Sequence, residues 1–319
     1  MNNLKTYADF LKKFLNPQKP LRVVFDCSNG TTGPIIKQLI TNSPRHGGAS
    51  RQLTTFLIND KPDGNFPAHG PNPSKAGAMD QLKKEVLRQK ADLGAIFDAD
   101  GDRVFFVNNN GEFINPDAIA RLLIWQLKPK KVVIDVRTGW LVKNLKSQIS
   151  NFKIVESKVG HYFIKKLMKK INADFGAEQS GHCYFAFKNI GGEKAYFDSG
   201  IMAAIEIINA VSKLPYKLSN YVDLLPKYYR SPELNFKIKN PKQFIKKIES
   251  YYNSNLKTKN HLDGLTMEFE NWWFNLRPSN TEPLVRLNIE TTDKNYLNKM
   301  IKSLSSLIKK YKEEKSLGR

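Results

Sequence analysis

LRVVFDCSNGTTGPIIKQLI, residues 21–40, decides the fold class. LRVVFD is a short β-branched run, CSNGTTGP is a loop of small and turn-forming residues, and IIKQLI has the texture of a helix. Strand, glycine loop and helix in that order form the repeating unit of α/β folds. On its N-terminal side, LKTYADFLKKFL (residues 4–15) places apolar residues at helical spacing, and Pro17 and Pro20 stop that helix. On its C-terminal side, TTFLIN (54–59) reads as a second strand and residues 60–73, rich in Pro, Gly and Asn, as a loop. MDQLKKEVLRQK predicts an amphipathic helix, ADLGAIFD a strand, and RVFFVNNNGEFI a hairpin turned at Asn110-Gly111.

The pattern then restarts. PDAIARLLIWQL predicts a helix, KVVIDV a strand, TGWLVKNLKSQI a helix, FKIVES a strand and GHYFIKKLMKKI a helix. ADFGAE predicts a short strand leading into QSGHCYFAF, and a helix from Asp198 to Val211 closes the unit. The alternation favours a mostly parallel sheet in each unit. After LPKYY the texture changes to strands (LNFKIK, LTMEFENWWFNLRP, Leu284 to Glu290) and two helices, PKQFIKKIESYY and KNYLNKMIKSLSSLIKKYKEEK. The expected architecture is α/β, with two successive mixed-sheet α/β domains followed by a smaller α+β domain. Its expected boundaries are a linker helix at 1–20 and domains at 21–115, 116–225 and 226–319.

Composition narrows the function classes. With 319 residues, 40% apolar and 25% charged, the chain can bury a core without staples. Cys27 and Cys183 are too few for a disulfide framework, and no apolar run approaches the roughly 20 residues that span a bilayer. The N-terminus carries no long apolar stretch of secretory type. A soluble, cytoplasmic protein is the expectation. The net charge of +21 comes mostly from lysine, whereas base readout leans on arginine. The lysines lie in small groups such as Lys165, Lys166, Lys169 and Lys170, which read as solvated helix faces; steering of an anionic substrate is the alternative. No zinc-finger spacing, RNP-like stretch or aromatic-interleaved basic loop supports nucleic acid.

Three loops carry chemistry. In FDADGDR (97–103), Asp98, Asp100 and Asp102 alternate directly after a strand, so their carboxylates can converge. Three like charges at close range call for a cation, and an all-oxygen donor set suits Mg²⁺. A calcium EF-hand fails, because Arg103 stands where Gly is required and Asn109 where Glu is required. An exposed acidic turn is the bland alternative. GAEQSGH (176–182) offers Glu178, Ser180 and His182, a set able to meet sugar hydroxyls, although a structural histidine in an ordinary turn explains it equally well. RPSNTEP (277–283) gathers Arg277, Ser279 and Thr281 around a tight turn, the chemistry of an anion nest; a capped turn explains it when taken alone.

In this order and spacing the three loops resemble the α-D-phosphohexomutase family, in particular its phosphomannomutase/phosphoglucomutase branch. PDGNFPAHGPNPSKAGAMDQLKKEV with ADLGAIFDADGDR resembles that family's second domain and metal loop. SKVGHYFIKKLM with FGAEQSGH resembles its third domain and sugar-recognition loop, and LRPSNTEPLVRL its fourth-domain phosphate loop, with Asn280 where Gly is usual. Asn tolerates a left-handed backbone, so the loop can keep its shape. The resemblance implies that Asp98, Asp100 and Asp102 bind Mg²⁺ and that Arg103 sits beside the transferring phosphate. It implies that Glu178 and Ser180 read the sugar hydroxyls, and that Arg277, Ser279, Asn280 and Thr281 hold the non-reacting phosphate. Arg137 stands where the family often has Lys, and His161 and His182 fall at sugar or phosphate contacts. His46, His69 and His261 read as structural or surface residues.

The implied reaction interconverts mannose or glucose 1-phosphate and 6-phosphate through a bisphosphate, with the phosphoglucosamine branch as the near rival. The family's first domain carries a phosphorylated serine in a T-A-S-H-N-P type loop, and no Ser-His-Asn occurs in these 319 residues. The expectation is therefore a chain with little turnover alone: one half of a split mutase whose serine domain is a separate chain, a truncated form, or a non-catalytic sugar-phosphate-binding remnant.

Overall fold

The computed structural model describes residues 3–41, 53–188, 192–279 and 282–317. The chain forms two compact units. The first comprises residues 1–134, 141–155 and 164–225; the second comprises 135–140, 156–163 and 226–319.

The first unit opens with α1 (Asn3–Lys12), β1 (Leu21–Asp26), α2 (Thr32–Thr41), β2 (Leu53–Ile58), α3 (Asp80–Arg88), β3 (Leu93–Phe97), β4 (Val104–Asn108) and β5 (Phe113–Ile114). The strands order as β2-β1-β3-β4-β5. β1 runs parallel to β2 and β3, whereas β3–β4 and β4–β5 are antiparallel. The sheet is mixed, as the expected class has it, with more antiparallel pairing than the alternation of strands and helices alone suggests. The reason is loop length: only residues 98–103 join β3 to β4, too few for the crossover that a parallel pair needs. Both faces are covered, which explains the unbroken apolar strands. Val23, Phe25, Ala95, Phe97, Val104 and Phe106 face the main core. Val24, Ile96, Phe105 and Val107 face Leu82 and Val86 of α3. Each buried Val, Ile, Leu or Phe among them contributes about 1.5–3 kcal/mol. Gly94 lets α3 sit this close, because a Cβ there would lie 2.6 Å from Val86 Cγ2 and 2.8 Å from Leu82 Cδ1.

The second sheet follows: α4 (Pro116–Leu127), β6 (Lys131–Asp135), α5 (Trp140–Lys143), β7 (Lys153–Ser157), α6 (His161–Ile171), β8 (Phe175–Ala177), β9 (Cys183–Lys188), β10 (Lys194–Asp198), α7 (Gly200–Lys213) and α8 (Leu218–Asp223). Asn115 caps α4 by accepting from the Asp117 N–H at 2.8 Å, with Pro116 at the first helical position. The order is β10-β9-β8-β6-β7, with β6 parallel to β8 and with β8–β9 and β9–β10 antiparallel. The helix expected across TGWLVKNLKSQI is only one turn of α5 continued by a 3₁₀ segment, Asn144–Ser147. Strand β10 lies at the sheet edge and was not foreseen in KAYFD. α7 is buried along its length from Gly200 to Ser212 and touches β3, β4 and α4. It is a core helix whose one polar row is hydrogen-bonded: the Asn16 N–H donates to Asn209 Oδ1 and the Gln18 N–H to Ser212 Oγ, each at 2.8 Å.

The second unit holds β11 (Tyr229–Arg230), β12 (Leu234–Lys237), α9 (Pro241–Tyr251), β13 (Thr258–Asn260), β14 (Leu265–Glu268), β15 (Trp272–Pro278), β16 (Leu284–Thr291) and α10 (Lys294–Leu317). Every pairing identified here is antiparallel, in the order β11-β16-β15-β14-β13, with β12 also on β16. One face of β15–β16 carries Phe274, Leu276, Leu287 and Ile289, in a core shared with Phe244 and Ile248 of α9 and Met300 and Leu304 of α10. The opposite face carries the register pairs Trp273–Glu290, Asn275–Asn288 and Arg277–Arg286. The expected class holds: two mixed α/β sheets, then an antiparallel sheet with helices. Among the described residues no helix is long and apolar enough to cross a membrane.

Candidate functional site

The turn after β3 is built around Asp98. Its Oδ1 accepts the backbone N–H groups of Gly101 at 3.0 Å and Arg103 at 3.1 Å, and its Oδ2 accepts Arg103 Nε at 2.5 Å. Gly101 makes the turn possible at φ +78°, and a Cβ there would lie 2.3 Å from Thr32 Cγ2. The sequence places Asp98, Asp100 and Asp102 together, and the fold keeps them so: one carboxylate oxygen from each lies within 4.8 Å of the others. Burial pushes the Asp98 carboxyl upward, against the pull of Arg103. The hydrogen bond from His182 holds Asp102 below the usual carboxylate range, against its own partial burial. An oxygen-only set with one buried carboxylate, Asp98, and one exposed, Asp100, fits a hard divalent cation that keeps part of its water, and Asp98, Asp100 and Asp102 would hold it.

A second loop is stitched to the first. Arg103 and His182 form an isolated antiparallel bridge, and the Val104 N–H reaches Gly181 O at 3.1 Å. His182 Nε2 lies 3.2 Å from Asp102 Oδ2, while its Nδ1 lies 3.0 Å from Ser180 Oγ and 3.4 Å from Glu178 Oε2. Burial works against the imidazolium, but the surrounding carboxylates win and the His182 pKa is raised. Tyr184, fully buried on β9, donates its hydroxyl to Glu178 Oε2 at 2.5 Å. Burial and the nearby carboxylate together push that phenol above its ordinary value. Glu178 is therefore fixed from behind by Tyr184 while Ser180 and His182 stand beside it.

In the second unit, Arg137 follows β6 and folds back on Asp135. Its Nη2 meets Asp135 Oδ2 at 2.7 Å, and its Nη1 lies 4.0 Å from Glu233. Arg277, near the end of β15, donates from Nη2 to Glu233 Oε2 at 2.7 Å. Burial lowers the Arg277 pKa while Glu233 pulls it back up. Ser279 Oγ lies 3.5 Å from Arg286 Nη2. His161 is exposed at the first turn of α6. Asn280, Thr281 and His46 lie outside the described residues. His69 packs on buried Asp26 at 3.2 Å, and His261 pairs at the surface with Glu249. Cys27 and Cys183 are buried free thiols, pushed up to about 12 by burial.

Three family profiles match the chain in succession. They are the phosphoglucomutase/phosphomannomutase alpha/beta/alpha domain II at residues 5–111, alpha/beta/alpha domain III at 115–228 and the C-terminal domain at 233–305. The chain belongs to the phosphoglucomutase/phosphomannomutase family. A phosphomannomutase of Methanocaldococcus jannaschii is 37% identical over 97% of the chain and 66% of that relative. The crystal structure of a phosphoglucomutase/phosphomannomutase family protein from Burkholderia thailandensis superposes with a TM-score of 0.81 at 23% identity, across 97% of the chain and 64% of its own. The fold is also that of an Aspergillus fumigatus N-acetylphosphoglucosamine mutase, solved with GlcNAc-6P and magnesium, at a TM-score of 0.63 and 15% identity over 96% of the chain and 65% of that one. The chain thus spans just under two thirds of the relatives it matches.

Two residues that sequence reasoning missed stand out in this family member. Tyr184 fixes Glu178, and Glu233 joins Arg277 to Arg137 and Arg286. The YF of HCYFAF reads only as strand and the E of SPELN only as a polar residue before one, so neither carries a local signal.

Proposed function

We propose that the chain supplies the metal-, sugar- and phosphate-binding parts of a phosphohexomutase that interconverts hexose 1-phosphate and hexose 6-phosphate of the mannose or glucose series through a bisphosphate. The observation that carries this reading is the stitched pair of loops: three metal-type carboxylates, and beside them Glu178, Ser180 and His182, joined through the Arg103–His182 bridge. Mg²⁺ held by Asp98, Asp100 and Asp102 would neutralise charge on a transferring phosphoryl group.

The chain's own groups have distinct tasks in this reading. Arg103 offers its remaining N–H groups to phosphate oxygens. Glu178 and Ser180 accept from and donate to sugar hydroxyls, and His182 can hold a proton at Nε2 or Nδ1 beside them. Arg137 and His161, with Arg103, are the catalytic candidates beside the sugar phosphate, and Arg277, Ser279, Asn280 and Thr281 hold the phosphate that is not reacting. The phosphoryl carrier is not among these residues, since no Ser-His-Asn sequence occurs in the chain. The 319-residue polypeptide on its own is accordingly expected to bind Mg²⁺ and hexose phosphate with little turnover, and the family's serine domain, in the same or in a separate polypeptide, is proposed to complete it.

A coupled assay tests this with Mg²⁺, glucose 1-phosphate or mannose 1-phosphate, and a trace of hexose 1,6-bisphosphate. Turnover restored by adding a serine domain and abolished by Asp100→Ala supports a completed mutase. Turnover by the chain alone means that another group carries the phosphate. Binding that is never accompanied by turnover supports the sugar-phosphate-binding remnant, the reading favoured by the absent serine motif. Absence of both binding and turnover refutes every version.

A further inference from the structure

The turn that carries Arg137 is gripped by one row of the C-terminal sheet. Register sets Arg230 of β11 opposite Glu290 of β16, Glu290 opposite Trp273 of β15, and Trp273 opposite Glu268 of β14. Residues directly opposite one another share a face, so the four stand side by side across four strands. Three of them reach the turn. Arg230 Nη2 donates to the Arg137 carbonyl, Glu290 Oε1 accepts the Trp140 N–H at 2.8 Å, and Glu268 Oε1 accepts Trp140 Nε1 at 2.8 Å. Trp273 supports the row. Its Nε1 donates to the same Glu290 oxygen at 2.9 Å, and Arg230 Cζ lies 5.6 Å from its ring centre.

The grip falls on both ends of one short turn: Arg137 gives its carbonyl and Trp140 its N–H, with Thr138 and Gly139 between them. Glu290 is 3% exposed and Trp140 6%, so these bonds are sealed from water. The Trp140 ring also packs edge-on against Tyr228, at 5.6 Å between centroids. The Arg137 side chain is fixed separately, since Asp135 accepts from its Nε at 3.2 Å and from its Nη2 at 2.7 Å. A guanidinium whose backbone and fork are both held loses little freedom when it meets an anion.

We propose that Glu290 is a positioning residue for Arg137, presetting it for the sugar phosphate by holding the Trp140 N–H. The inference rests on the reading of Arg137 given above and adds a residue that touches no ligand itself. Without the Glu290 carboxylate, the Trp140 N–H and the Trp273 indole lose their shared acceptor and the far end of the turn is released.

Isothermal titration of the 319-residue chain with glucose 1-phosphate tests it. Glu290→Ala is expected to weaken binding about 5-fold, and Glu290→Gln, whose amide oxygen can still accept both N–H groups, to recover most of that loss. In an Arg137→Ala background Glu290→Ala should cost nothing more, which a merely structural role would not produce. If Arg137→Ala weakens binding and Glu290→Ala does not, or if the two losses add, the inference is overturned and the reading of Arg137 stands. An equal loss in Glu290→Gln also overturns it, because charge and not the bonds would then act. If Arg137→Ala leaves binding unchanged, or the unaltered chain binds no glucose 1-phosphate, both fall. A measurement on the unaltered chain covers a Glu290→Ala variant that fails to fold. On adding glucose 1-phosphate, the Arg137 ¹⁵Nε–H resonance should shift while that of the Trp140 N–H stays in place. A Trp140 N–H that moves as far refutes a preset turn, and an unmoved Arg137 overturns both.

Discussion

Removing one hydroxyl, Tyr184→Phe, tests how the sugar-facing carboxylate is held. The phenol is fully buried and gives its hydroxyl to Glu178 Oε2 at 2.5 Å, while Glu178 is itself 5% exposed. The substitution keeps the ring and its stacking on His182, at 6.0 Å between centroids, so packing changes little. What is lost is a hydrogen bond to a buried acidic group, worth about 1.5–3 kcal/mol. In a unit of about 200 residues, a 2 kcal/mol loss lowers the melting temperature by about 4–8 °C. Thermal unfolding followed by circular dichroism reads that directly. With Glu178 no longer fixed, glucose 1-phosphate affinity is expected to fall about 5–10-fold, roughly 1–1.4 kcal/mol. The effect should shrink when Glu178→Gln is already present, since the two act through one bond. A Tyr184→Phe chain that melts within about 1 °C of the parent and binds sugar phosphate unchanged would refute this reasoning.

Other expectations follow from the same geometry. Asp100 is exposed, so Asp100→Asn should leave the melting temperature within about 1 °C while lowering Mg²⁺ affinity at least 10-fold by calorimetry; equal affinity would remove Asp100 from the metal set. Gly101→Ala must place a Cβ at φ +78° against Thr32, at a cost of about 1–3 kcal/mol, and should lower both thermal stability and Mg²⁺ affinity; an unaffected variant would mean that the turn relaxes freely. The hydrogen bond to Asp26 raises the His69 pKa. A folded-state pKa above the unfolded one adds stability at low pH that is lost as pH rises through the folded value. The melting-temperature gap between the parent and His69→Ala should therefore narrow from about pH 5.5 to about pH 8.5, and a gap that widens would reverse the assignment.

The α/β units were legible because both faces of their strands are covered, which leaves continuous apolar runs such as LRVVFD and LGAIF in the sequence. Helices α3 and α6 announced themselves by their period, and α4 also by its Asn115-Pro116 start. The β4–β5 hairpin was legible at Asn110-Gly111, but the β3–β4 and β8–β9 directions were not, since they depend on how few residues join those strands. Strand β10 and helix α8 are short and mix polar with aromatic residues, so no window of periodicity marks them. The residue types of the candidate site could be read from its loops, but their supports could not. Glu233 meets partners 44 and 53 residues away in sequence, and Tyr184 looks like any strand aromatic. Such roles exist only after the chain has closed on itself.

Helix α7 carries a consequence for how the molecule comes apart. Family profiles divide the first unit between residues 111 and 115, yet α7, which lies well beyond that division, is buried against β3 and β4 that lie before it. Its Met202 also lines a cavity with Phe175 of β8 and Phe185 of β9. A segment ending at residue 115 would leave Phe97, Val104 and Phe106 facing water, and one starting there would strip α7 of its bed. Heredity counts two modules in this stretch; melting should count one, in a single cooperative transition, with neither half able to serve as a soluble spare part.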